Sequence, residues 1–167
     1  MNSGKIKSIA ISACLLGHKV RYDGDHQENI IILSRLEQIF NIIPVCPEVD
    51  IGLGVPREKI ELHQQGTNIH LLTCSRPVID LTEQMVRYAH AFLQIHKLSG
   101  IILKDKSPSC GVANCKQWNE AGEMQHNGTG VFAATIRQIK PDLPMLQSHL
   151  VTQSSDLDSF IQQVNEY

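Results

Sequence analysis

Cys14, Cys46 and Cys110 each stand just beyond a short apolar run, in loops punctuated by Gly or Pro. The runs are Ile6 to Ser12, Ile42 to Val45 and Ile101 to Leu103. If these are strands of one parallel sheet, the three thiols emerge at a single edge, beyond the carboxyl ends, where such sheets hold their ligands. Thiolates are soft ligands suited to zinc and to iron–sulfur centres. A lone cysteine is most often an inert buried thiol. Three placed alike after three strands point to a shared metal site. Structural zinc wants a fourth ligand, and His18, His26 and His63 are the candidates nearby in sequence. A 4Fe–4S cluster on three cysteines instead leaves one iron open to a substrate atom. No CxxC pair decides between them by spacing. Cys74 and Cys115 are left over, the first expected to be structural and the second a spare thiol.

The polar neighbours of these cysteines are the next candidates. Glu48 lies two residues after Cys46, which makes it a proton-transfer group if the site is buried. Ser107-Pro108-Ser109-Cys110-Gly111 offers two hydroxyls and a run of amides able to form an anion nest, or simply a turn. In Arg21-Tyr22-Asp23-Gly24, Tyr22 is placed to stack on a base and Asp23 to accept from a ring N–H, although Asp-Gly is also an ordinary turn. Lys104 and Lys106 flank the third loop and are candidates for neutralising a phosphate. Gly128-Thr129-Gly130 opens a helix whose first amides either hold an anion or only cap.

The elements that must position these groups alternate along the chain. Helical spacing runs through Asn29 to Phe40, Leu81 to Leu98, Thr129 to Ile139 and Asp156 to Asn165. The three apolar runs and Leu143 to Leu146 lie between them as strands. Ile60 to Leu62 and Ile69 to Thr73 flank a turn at Gly66 and read as a hairpin. Asp50 to Glu58 reads as loop, and the polar stretch Asn114 to Gly128 as a mobile excursion. The pattern predicts one α/β domain over residues 1–167. It is a three-layer sandwich with a mainly parallel, Rossmann-like sheet and a small β-hairpin insertion.

Composition narrows the function classes. With 42% apolar and 19% charged residues the chain reads as globular. A net charge of −2 gives no case for bulk binding to DNA or RNA, while a local basic pocket remains open. No apolar stretch approaches the roughly 20 residues a membrane helix needs. The segment from Met1 does not read as a leader. A cytoplasmic setting is expected, and there five cysteines are not a disulfide framework.

Three motifs also carry a resemblance. They are Ser12-Ala13-Cys14-Leu15-Leu16-Gly17 with Arg21-Tyr22-Asp23-Gly24; Cys46-Pro47-Glu48-Val49 with Gly52-Leu53-Gly54-Val55-Pro56-Arg57-Glu58; and Leu103-Lys104-Asp105-Lys106-Ser107-Pro108-Ser109-Cys110-Gly111. In this order they resemble the thiouracil desulfidase family, formerly known only as a domain of unknown function. The resemblance implies a 4Fe–4S cluster on Cys14, Cys46 and Cys110, with one iron left to take a thiocarbonyl sulfur. It implies Glu48 and Ser107 as the acid/base pair, and release of sulfide from thiouracil or a thiouridine nucleotide. One branch of that family is fused to a second domain and is implicated in removing 4-thiouridine from tRNA. This chain resembles that branch in Gly130-Val131-Phe132-Ala133, yet ends at Tyr167 without a match to the second domain. The expected substrate is therefore a free base or nucleotide, with tRNA as the alternative. Lys116-Gln117-Trp118-Asn119 departs from the stretch common in relatives, so selection there is expected to differ. Non-enzymatic iron–sulfur sensing and persulfide sulfur transfer remain the competing classes.

Overall fold

A computed structural model describes residues 6–167. The segment read for a leader begins outside them, at positions 1–5. Four strands form the main sheet: β1 (Ser8–Ser12), β2 (Asn41–Val45), β5 (Leu98–Leu103) and β8 (Met145–Gln147). Their order is β2-β1-β5-β8 and every pairing is parallel. Alternation along the central strands shows both faces covered. Ile9, Ile11 and Ile102 face a core built with Ile32 and Leu36 of α1 (Ile30–Leu36) and Phe160 and Val164 of α5 (Asp158–Glu166). Ala10, Ile101 and Leu103 face the opposite core, with Met85 and Phe92 of α3 (Thr82–Ile95) and Phe132 and Ile136 of α4 (Val131–Ile139). The three layers expected from the sequence are present.

The second sheet is larger than the expected hairpin. Strands β3 (Ile60–Gln65) and β4 (Asn68–Thr73) pair antiparallel around Gly66, as expected. The polar stretch read as a mobile excursion is a second hairpin, β6 (Cys115–Trp118) and β7 (Met124–Gly128). It joins β3 in parallel, giving the order β4-β3-β6-β7. The signal was short: Cys115 and Gln117 are buried while Lys116 and Trp118 face out, an alternation only four residues long. Elsewhere the differences are at boundaries. The first helix is shorter than its apolar spacing suggested, and a four-residue helix, α2 (Pro47–Asp50), occupies what read as loop.

Among the described residues no helix is long and apolar enough to cross a membrane. The start of α1 illustrates how the loops are tied down. Asn29 Oδ1 accepts from the amides of Ile31 and Ile32 at 3.1 and 3.3 Å, while its Nδ2 donates to the Val151 carbonyl at 3.1 Å. This cap ends the long loop that follows Cys14. Asn29→Ala is expected to cost about 1 kcal/mol, a fall in Tm of about 2–4 °C for a domain of this size, measured by thermal unfolding.

Candidate metal centre and active site

The carboxyl ends of β1, β2 and β5 deliver the three cysteines to one cavity of about 300 Å³. Cys14 sits in the tight turn Ala13–Leu16 directly after β1. Cys46 caps α2 directly after β2, with Pro47 at the first helical position. Cys110 closes the turn after β5. Cys14 and Cys110 are buried, and Cys46 is half-buried.

Burial pushes all three thiols up: Cys14 to about 11, Cys46 above its usual value, and Cys110 well above it. The charges of Glu48, Cys14 and Cys46 add to the shift at Cys110. The thiols are thus near enough to repel as thiolates, and a bound cation would relieve that repulsion. Among the described residues no three His, Cys, Asp or Glu side chains come close enough to hold a single metal ion. His18, His26 and His63 do not line the cavity, which leaves the zinc alternative without the histidine it called for. Three soft donors spread around a cavity fit a multi-iron cluster better than one ion. The lining charges agree with an anionic thiolate-bound group: Arg21, Arg57, Lys104 and Lys106 stand against Glu48 and Asp105.

Glu48 projects from α2 into the same cavity and is held from both sides. Arg57 Nε donates to Oε2 at 2.7 Å, and Ser109 Oγ donates to Oε1 at 2.9 Å. Arg57 is itself anchored by Nη1, which donates to the carbonyls of Val20 and Gly54 at 2.9 Å each. Arg57 holds Glu48 in the cavity and was not singled out by reading from the residues upward. It lies nine positions from Glu48, at the end of a Gly- and Pro-bearing loop that gave no sign of folding back.

Ser107 lines the cavity, and its Oγ accepts from the amides of Ser109 and Cys110 at 3.2 and 3.0 Å. Its own proton is left to donate. The amides that sequence offered as an anion nest are therefore spent within the turn. The turn is also clamped to the start of α4: the amides of Gly130, Val131 and Ala133 donate to the carbonyls of Gly111, Pro108 and Ser109. Three of the first amides at that helix N-terminus are thereby spent on capping the loop. A Cβ at Gly130 would lie 2.4 Å from the Ser109 carbonyl oxygen, so glycine is required for this approach. Cys115 donates to the Ser107 carbonyl at 3.3 Å behind the cavity. Cys74, expected to be structural, is exposed and lies away from the cavity lining.

The expected substrate residues divide. Tyr22, Lys104 and Lys106 line the cavity, whereas Asp23 and Ser109 do not. Asp23 is turned outward, and its hydrogen bonds from Arg21 hold its carboxyl below the usual range. Ser109 is fully buried and meets the site only through Glu48. Lys104 is bound to Asp105 by Nζ, at 3.0 Å to its carbonyl and 2.8 Å to Oδ1, so it is not free for a phosphate. Lys106 has no acidic partner among the described residues, and its φ of 58° is uncommon for a residue with a Cβ. A second cavity, about 620 Å³, opens beside the first and shares Tyr22, Glu48, Lys106 and Pro108 with it. Its further walls include Lys59, Lys116, Trp118 and His126. Lys59 already lies over the Tyr22 ring, 5.2 Å from its centroid.

The model of the 2-thiouracil desulfurase family matches residues 9–148. The uncharacterized protein YbbK of Bacillus subtilis (strain 168) is 31% identical over 138 residues, covering 78% of this chain and 89% of that protein. The solved structure of the 4Fe–4S-dependent thiouracil desulfidase TudS is 28% identical, covers 93% of this chain and 99% of its own, and superposes with a TM-score of 0.65. Its likeness extends over both sheets described above. A family match that contains all three cavity cysteines, Glu48 and the Ser107–Gly111 turn leads to one conclusion: the chain belongs to the 2-thiouracil desulfurase family.

Proposed function

We propose that this chain removes sulfur from a thiolated pyrimidine nucleotide at a 4Fe–4S cluster held by Cys14, Cys46 and Cys110. The products are the oxo base and sulfide: one water enters, and one H₂S leaves. The observation that carries the reading is the convergence of three strand-end thiols and a doubly held carboxylate on one cavity. When bound, the cluster supplies Lewis acidity at an iron without a protein ligand, which polarises the C–S bond.

The chain's own residues then have distinct tasks. Glu48, fixed by Arg57 and Ser109, takes the proton of the water that attacks the ring carbon. Ser107 keeps a hydroxyl proton to donate, because its oxygen is already oriented by two amides. Val20, Val45 and Pro108 give the cavity apolar walls that limit stray water. The outer cavity favours a nucleotide over a free base. Lys59, Lys106 and Lys116 line it, and none has an acidic partner among the described residues. Glu48 and Glu61 line it as well; with Glu48 paired to Arg57, three lysines stand against Glu61, and that excess of positive charge suits one phosphate monoester. A tRNA backbone calls for a wider basic surface than a chain of net charge −2 offers. A sensor would have no use for a carboxylate held in this way, and persulfide transfer would proceed without iron.

The direct test is anaerobic purification with iron reconstitution, followed by assay of 2-thiouracil and thiouridine monophosphates for sulfide release. Protein that binds no iron and releases no sulfide would refute the reading. Alanine at Cys14, Cys46 or Cys110 is expected to abolish iron and labile-sulfide content, whereas Cys74→Ser keeps both. Glu48→Gln is expected to retain the cluster absorbance while kcat falls by about 10²–10⁴-fold, as for loss of a general base. Lys106→Ala or Lys116→Ala should raise KM for a thiouridine monophosphate about tenfold, the worth of one charge-assisted contact, and leave KM for thiouracil unchanged.

A further inference from the structure

Apart from the Tyr22 phenol, four side chains offer oxygen acceptors to the inner cavity: Ser12, Glu48, Asp105 and Ser107. Three are engaged. Ser12 Oγ accepts from the Lys104 amide at 2.9 Å, Ser107 Oγ accepts from two amides, and each oxygen of Glu48 has its own donor. Asp105 differs. Its Oδ1 accepts from Lys104 Nζ at 2.8 Å and from Ser148 Oγ at 2.6 Å, while no donor among the described residues reaches Oδ2. Among those residues only Gln147 Oε1 is a fully enclosed side-chain atom without a partner. Oδ2 of Asp105 is therefore not fully enclosed, in a residue whose side chain is only 13% exposed and which lines the cavity. Burial works to raise this carboxyl, but the Lys104 and Ser148 hydrogen bonds outweigh it and hold it below the usual range. Lys104 spends two of its three ammonium protons on Asp105 and has one left.

We propose that Asp105 reads the substrate's base: Oδ2 accepts the ring N3–H of the pyrimidine, and the remaining Lys104 proton goes to the exocyclic atom beside it. This rests on the thiopyrimidine reading above and assigns to Asp105 the task that sequence gave to Asp23. An acceptor and a donor side by side match the N3–H and carbonyl edge of uracil-type rings. Cytosine-type rings carry a lone pair at N3, which a carboxylate oxygen repels. An N3-methyl ring has no proton to give, and it leaves a desolvated carboxylate unpaired.

Reconstituted full-length protein is titrated calorimetrically with uracil and with 3-methyluracil, and assayed in parallel on 2-thiouracil and its N3-methyl derivative. Wild type is expected to favour the unmethylated ring by about 100-fold in both readouts, the cost of an unpaired charged acceptor. Asp105→Ala should shrink this preference to a few-fold with iron content unchanged. Asp105→Asn must turn its carbonyl toward Lys104 and Ser148, which puts an NH₂ where Oδ2 was; it should lose uracil and gain cytosine. Equal binding of the two uracils by wild type, or an undiminished preference in Asp105→Ala, overturns the proposal. Selective uracil binding without sulfide release would remove the proposed reaction and leave the base reader standing. Sulfide release with no N3 selectivity would do the reverse.

Discussion

The contact between the Ser107–Gly111 turn and the start of α4 leaves no space for a single added carbon. At Gly130 a Cβ would meet the Ser109 carbonyl, and at Gly111 it would meet the Cys115 sulfur at 2.2 Å. Three helix amides that would otherwise need solvent or a cap find the turn's carbonyls instead. The placement of everything at this end of the sheet follows. Cys110 is driven inward and Ser107 outward to the cavity, while Ser109 reaches across to the carboxylate on α2. Two elements far apart in sequence, Glu48 and the turn, thereby share one rigid frame. A site on loops gains the precision of one built on a helix.

That frame explains the uneven legibility of the sequence. Parallel strands, and hence the common edge for three thiols, could be read because Ile-rich runs alternate with helical spacing. The second hairpin could not be, since Cys115–Trp118 is too short and too polar for a period to register. Asp23 and Asp105 are instructive together. Both are Asp in a loop after a strand, and composition cannot distinguish them. What separates them is three-dimensional: Arg21 draws Asp23 outward, while Ser148, 43 residues along the chain, holds Asp105 at the cavity. Arg57 was hidden for a similar reason. Its importance comes from the carbonyls of Val20 and Gly54, which only the folded loop brings to it.

Electrostatically the site divides by kind of charge. At the buried or half-buried thiols, burial disfavours free thiolates and a metal group is the natural compensation. Ion-paired carboxylates line the same cavity: Glu48 with Arg57, and Asp105 with Lys104. Both pairs are largely buried, so their geometry persists where an exposed pair would fluctuate. The unpaired lysines lie in the outer cavity, where hydration makes an uncompensated charge inexpensive. Chemistry is thus kept apart from attraction.

The β6–β7 hairpin gives that separation an evolutionary side. Its base is anchored: Cys115 bonds the Ser107 carbonyl, and β6 runs beside β3. Lys116, Trp118, Met124 and His126 all border the outer cavity, and none of them lines the inner one. Replacing these side chains would redraw that cavity without moving a cavity cysteine, the carboxylate of Glu48 or a strand of the main sheet. Such a module can drift under selection for a new sulfur-bearing compound at little risk to folding, so diversity among relatives is expected to accumulate here first.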